Sequence, residues 1–168
     1  LNILPPGVEK YFVKGGGLSV IEVSQEDKIE IINEEGKQVC EIVVFNSKGK
    51  SDLSILSLKE NANANFSKKT ILQDEKISKL FKKKNLDLSK AKSSIIFNED
   101  CLMGEKIILK SKDKCIVMIA APGDAMNVHE QNPPTDLTVF LNKAKFTETN
   151  EQFVLPDPLS DPIFEKLV

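Results

Sequence analysis

Seven apolar residues in a row, Cys115 to Ala121, and a second apolar run opening at Leu137 limit this chain more than any other feature. Each run is short and ends in a turn signal, the pattern of a strand rather than of a long helix. The loop between them carries His129, the single histidine of the sequence, together with Asp124, Asn127, Asn132, Thr135 and Asp136. Loops held on rigid strands are common seats of function. These six residues are therefore the candidate ligand-binding set, placed at the mouth of a strand-built shell and suited to a small polar molecule.

The rest of the chain points to the same class. Residues 18–23 and 28–32 read as strands, with Ile29 and Ile31 alternating with Glu30 at a period of two. Residues 39–45 form a richer run, and contiguous apolar residues imply burial on both faces. Short turns join these three, which predicts an antiparallel meander. Further strands are expected at 94–97, 105–109, 115–121 and 137–146, about seven in all. Leu4-Pro5-Pro6-Gly7 reads as an opening turn and Gly15-Gly16-Gly17 as a tight reversal. A strand rather than a helix follows the glycines, which argues against a phosphate loop.

In the middle, residues 61–65 read as a polar loop. Asp74 can cap a helix running to about Lys84, with Ile77, Leu80 and Phe81 on one face and Lys82-Lys83-Lys84 suiting its C-terminal dipole. The expected fold is mainly β with a minor α component (α+β minor): a distorted antiparallel β-sandwich or barrel with one or two short helices. Residues 1–150 are expected to form a single β-rich domain. Proline recurs too often in residues 154–162 for a regular element, so 151–168 reads as a C-terminal strap or linker.

Composition narrows the function classes. All 23 basic residues are lysine, and the net charge is −2. Arginine is the usual fork for bidentate phosphate recognition, and no basic footprint is present, so no nucleic-acid partner is expected. With no tryptophan and Tyr11 as the sole tyrosine, a base-stacking platform would rest on phenylalanine alone. No run approaches the roughly 18 apolar residues of a membrane helix, so no membrane partner is expected. No secretory pattern is visible. Cys40, Cys101 and Cys115 make an odd count, better suited to free thiols in a reducing compartment than to a disulfide framework. Localisation is expected to be cytoplasmic. The chain opens on Leu1 rather than methionine, consistent with a processed or excised polypeptide.

No constellation completes a reaction. A zinc site needs three or four ligands, and the sequence offers one histidine and no Cys-x-x-Cys pair, so no metal is expected. A nucleophilic pair would join Cys115 or Cys101 to His129, with Asp124 or Asp136 as orienter. But Cys115 opens a buried strand, which favours a thiol over a thiolate. Thr135 and Asp136 could equally serve to bond a turn backbone. No catalytic residue is assigned.

Two segments carry a resemblance. Gln38-Val-Cys-Glu-Ile-Val-Val-Phe-Asn46 and the pair Ala120-Ala-Pro-Gly-Asp124 with Pro134-Thr-Asp-Leu137 resemble the urea carboxylase-associated family. Leu4-Pro-Pro-Gly7 and Leu155-Pro-Asp-Pro-Leu159 look more like the version found at the N-terminus of proteins related to the glycine-cleavage aminomethyltransferase. That resemblance implies an accessory or ligand-binding domain, itself non-catalytic, with a transferase domain or subunit as partner. Transferase chemistry and any folate would lie outside this chain, which itself needs no cofactor. The alternative it implies is a stand-alone amidine or amide hydrolase. Against the hydrolase, the central region lacks the family's Cys/His-rich segment, and Ala121 stands where a cysteine is common. Oligomeric state is left open.

Overall fold

The computed structural model describes residues 4–123 and 134–145. Eight antiparallel strands form two four-stranded sheets. In chain order they are β1 (Val8–Val13), β2 (Leu18–Val23), β3 (Lys28–Asn33), β4 (Cys40–Phe45), β5 (Ser94–Ile96), β6 (Glu105–Lys110), β7 (Cys115–Ala120) and β8 (Leu137–Asn142). Sheet A runs β1-β8-β3-β6 and sheet B runs β2-β7-β4-β5. That interleaving is the strand order of a jelly roll. The mainly antiparallel β fold expected from the sequence is what forms.

The meander is corrected. β3 lies in sheet A, while β2 and β4 flank β7 in sheet B, so β2, β3 and β4 alternate between sheets instead of pairing with one another. The turn after β2 shows how. Asp27 Oδ2 accepts from Ser24 N at 2.9 Å, and Glu26 takes a left-handed φ of 72°. Glu26 N then donates to Ser111 O at 2.7 Å, in the turn beyond β6.

In sheet B, β4 is buried on both faces and β7 nearly so. One set of alternating residues, including Ile21, Val117, Ile119, Ile42 and Val44, is buried along its whole length and is left to meet sheet A. The other set meets two helices, α1 (Asn65–Leu72) and α2 (Glu75–Lys83). Phe45 packs edge-on against Phe81 of α2, ring centroids 6.1 Å apart. Full burial of a side chain of this size contributes about 1.5–3 kcal/mol. This double burial explains why β4 and β7 read as contiguous apolar runs.

α2 starts where its sequence signal places it: Asp74 Oδ1 accepts from Lys76 N at 3.0 Å and Ile77 N at 3.2 Å. α1 was expected to be loop at its start, and its cap is not local. Its N-cap residue is Ala64, in a left-handed conformation with no side chain to offer. Instead Glu41 of β4 accepts from Ser67 N at 3.3 Å, placing a carboxylate at the positive end of the helix.

β1 was also missed. Its inward residues are Glu9, Tyr11 and Val13, so a carboxylate occupies a position the pattern reserves for apolar side chains. The Tyr11 hydroxyl donates to Glu9, and Lys143 Nζ lies 3.1 Å from Glu9 Oε2. Burial and the Glu9 contact push the Tyr11 phenol well above its ordinary range. At the same end of the barrel, Lys143 N donates to Gly7 O at 2.8 Å and Ala144 N to Asp27 Oδ1 at 2.9 Å. The chain is therefore pinned as it leaves β8, which ends at Asn142 rather than continuing to residue 146. Among the described residues, no helix is long and apolar enough to cross a membrane. The strap expected at 151–168 lies outside the described residues.

Candidate functional site

β7 ends in sheet B and β8 begins in sheet A, so the connection between them bridges the two sheets at one end of the barrel. Both ends of that connection are fixed. Ala121 exchanges backbone bonds with the glycine reversal, Gly16 N to Ala121 O at 2.8 Å and Ala121 N to Gly17 O at 3.0 Å. On the far side, Gly15 N donates to Asp136 Oδ1 at 2.8 Å. The glycines are thus a seat for the loop as well as the β1–β2 turn.

A buried amide ties the two ends together. Gln38 Nε2 donates to Val39 O at 2.7 Å and to Pro122 O at 3.0 Å, while Gln38 Oε1 accepts from Thr135 N at 2.8 Å. Both amide donors and the acceptor are engaged, which fixes the orientation of the group. Asn33 Nδ2 donates to Gln38 O at 2.7 Å and holds the backbone beneath it.

Packing closes the base. A Cβ at Gly123 would lie 2.4 Å from Pro134 Cβ, and one at Gly15 would lie 2.5 Å from the Pro134 carbonyl. Pro134 therefore sits between two backbone segments that admit no side chain.

Of the candidate residues, Thr135 and Asp136 are described; Asp124, Asn127, His129 and Asn132 lie outside the described residues. Thr135 is half-buried, and its Oγ1 is buried with no hydrogen-bond partner among the described residues. A buried hydroxyl left unpaired costs about 1–3 kcal/mol. Asp136 is exposed, and one of its oxygens is committed to Gly15, which matches the turn-bonding reading of this residue. Gln38, Gly15 and Gly123 were not among the candidates. Gln38 stands next to an apolar strand, and nothing in its neighbours announces a link across the barrel end.

The cysteines are free and buried. Burial pushes the Cys115 thiol up to about 11, and burial followed by the Glu41 charge pushes Cys40 higher still. Near neutral pH both are thiols, not nucleophilic thiolates. Among the described residues, no three His, Cys, Asp or Glu side chains gather as a metal-ligand set.

No family model matches the chain. A curated relative, a trimethylamine-oxide aldolase from Ruegeria pomeroyi, is 34% identical over 164 residues, which is 95% of this chain and 21% of the relative. The chain thus spans about a fifth of the length of the curated relative it matches. Among solved structures, a DUF1989 family protein from Silicibacter pomeroyi is 11% identical, with a TM-score of 0.48 covering 92% of this chain and 88% of that one. That likeness carries no functional argument.

These findings correct the functional expectation. The curated relative is an aldolase for trimethylamine oxide, so the reading as an accessory domain of an aminomethyltransferase-related, glycine-cleavage-like protein is overturned, and the hydrolase alternative goes with it. The physical reason lies in the segments that carried the resemblance. Residues 40–45 form a central strand, and Ala121, Pro122 and Pro134–Asp136 form a loop base. Such positions report a fold, and one fold serves many functions.

Proposed function

We propose that this chain forms the jelly-roll part of an enzyme that acts on a small tertiary amine oxide such as trimethylamine oxide and releases an aldehyde. The observation that supports this is the 34% identity to a trimethylamine-oxide aldolase, sustained over 95% of the chain. The substrate would bind at the end of the barrel carrying the β7–β8 connection. An amine oxide presents one strongly accepting oxygen and a set of methyl groups. It calls for hydrogen-bond donors in an otherwise uncharged setting. The unpartnered Thr135 hydroxyl is one such donor. By residue type, Asn127, His129 and Asn132 supply others, since amide and imidazole N–H groups donate.

The overall reaction is redox-neutral. Trimethylamine oxide contains the atoms of dimethylamine and formaldehyde together: a methyl carbon loses a hydrogen and its bond to nitrogen, the oxygen passes from nitrogen to that carbon, and a proton takes the vacated position on nitrogen. No external oxidant is consumed.

The test is to supply trimethylamine oxide to the chain, and to any longer product of its gene, and to quantify formaldehyde and dimethylamine. The proposal expects equimolar release of both. Absence of turnover and of binding in either polypeptide would refute it.

A further inference from the structure

The inward row of β3 ends on a polar side chain. Ile29, Ile31 and Asn33 all face the core, and each is fully buried. An aliphatic residue would fill the last place without a polar group, whereas burying a carboxamide is tolerated only where its hydrogen bonds are made. The bonds of Asn33 lead away from the strand. Its Nδ2 donates to Gln38 O at 2.7 Å and lies 3.4 Å from Cys101 Sγ. Gln38 O can only accept, so the nitrogen of the carboxamide is the atom that faces it.

The segment between Asn33 and Gln38 is held in a shape it would not take alone. Gly36 has a φ of 76° and Lys37, the residue before Gln38, a φ of 60°. A left-handed conformation at a residue other than glycine is strained, and it persists only where the surroundings enforce it. Here Asn33 O accepts from Gly36 N at 3.3 Å and from Gly104 N at 2.8 Å, and Lys37 N donates to Cys101 O at 2.9 Å. A Cβ at Gly36 would lie 2.8 Å from Cys101 O and 2.8 Å from Met103 N. The turn is thus clamped against the β5–β6 connection, and the Asn33 side chain closes it from the end of β3 to Gln38.

Gln38 is where this clamp meets the site. Its side chain spans Pro122 O and Thr135 N, at the two ends of the β7–β8 connection. A flexible side chain can hold two fixed groups at once only if its backbone stands at the right place. We propose that Asn33 is a positioning residue for the amine-oxide site: acting through Gln38, it holds Thr135 and Pro122 at the separation that binds the ligand. This rests on the reading of the loop end as that site.

Asn33→Asp and Asn33→Leu separate positioning from packing. Aspartate keeps the shape and puts an oxygen where Nδ2 stood. Ionised, it repels Gln38 O; protonated, it donates in the place of the amide. Burial raises such a carboxyl above its usual range, so the donor form returns as pH falls. The titratable groups beside it are Glu105, its register partner, and the Cys101 thiol, which burial and then Glu105 push up to about 11. The wild type, taken through the same pH range, accounts for both. Leucine keeps the row apolar and removes the donor at every pH.

Backbone amide spectra of the full chain, with and without trimethylamine oxide, are the test, recorded from about pH 5 to about pH 8. Asn33→Leu is expected to displace the Thr135 amide while those of Lys143 and Ala144 stay in place, and to weaken binding about five- to tenfold. Asn33→Asp is expected to match it at the upper pH and to return toward the wild type at the lower, a recovery that lost packing would not give. Gln38→Ala is expected to move the same amide, with little further displacement when combined with Asn33→Leu. A Thr135 amide that stays in place in both Asn33 variants overturns the proposal, as does wild-type affinity in Asn33→Leu. If Asn33→Leu does not fold, the two pH limits of Asn33→Asp decide, and no difference between them overturns the proposal. If the wild type binds no trimethylamine oxide, the amine-oxide reading fails by itself, and the Thr135 amide of the free protein still decides whether Asn33 sets the loop end.

Discussion

Gln38 and Thr135 stand 97 positions apart in the chain, and the Gln38 side-chain oxygen accepts the Thr135 amide hydrogen at 2.8 Å. The other end of the same side chain holds Pro122 O at 3.0 Å. One amide therefore sets the gap across which residues 124–133 are strung. Replacing Gln38 with Ala leaves the buried Thr135 N–H and Pro122 carbonyl without their partner, a loss of about 1–3 kcal/mol. Chemical denaturation measures it. Gln38→Glu is expected to lose comparable stability, because it keeps the acceptor for Thr135 and loses both donors.

The glycine positions give a graded test. Gly123→Ala puts a methyl group 2.4 Å from Pro134 Cβ, and overpacking of this kind costs about 1–3 kcal/mol. At Gly104 a Cβ meets nothing within 4 Å, although its φ of +80° disfavours any side chain. Both variants are expected to lower the thermal midpoint. Only Gly123→Ala should also alter ligand binding at the loop end, which a titration of the two variants would show.

Glu41 makes α1 dependent on the sheet. Glu41→Ala removes the acceptor for Ser67 N, and loss of an N-terminal cap costs about 0.5–2 kcal/mol. Hydrogen exchange is expected to quicken in α1 and to change little in α2, whose cap is its own Asp74.

Thiol chemistry provides a pH prediction. The Cys115 pKa is raised from 9.0 to about 11 in the folded protein. The folded state thus holds that proton more tightly than the unfolded chain does. This contribution is complete below pH 9 and is lost as pH rises from about 9 through 11. The raised Cys40 and Tyr11 act in the same direction. Denaturation midpoints should fall across that window. At pH 8 a thiol reagent should label the cysteines only after the protein is unfolded.

The legible parts of the sequence were those whose causes are local. β2, β4 and β7 follow from runs of apolar residues, β3 from the alternation of Ile29 and Ile31 with Glu30, and α2 from Asp74 followed by Ile77, Leu80 and Phe81. The parts that escaped depend on distant partners. β1 hides behind Glu9, tolerated inside the barrel because Tyr11 and Lys143 meet it. α1 lacks a cap of its own because Glu41 supplies one from β4. The sheet order escaped for a related reason: a connection of four to six residues, such as 24–27 or 34–39, looks alike whether the next strand pairs beside it or crosses to the opposite sheet. At the site, Thr135 and Asp136 were singled out by type and position. Gln38, which organises them, was not, because its partners are carbonyl and amide groups that sequence does not mark.

Binding of a small amine oxide at the loop end of the barrel, as proposed, can be followed by the backbone amide shifts of the full chain titrated with trimethylamine oxide. The expected result is saturable shifts centred on Thr135, Asp136 and Gly15, with binding weakened roughly five- to tenfold by Thr135→Val, about 1 kcal/mol for one lost hydrogen bond. Shifts confined to the opposite end, around Glu9 and Lys143, or none at all, would contradict it.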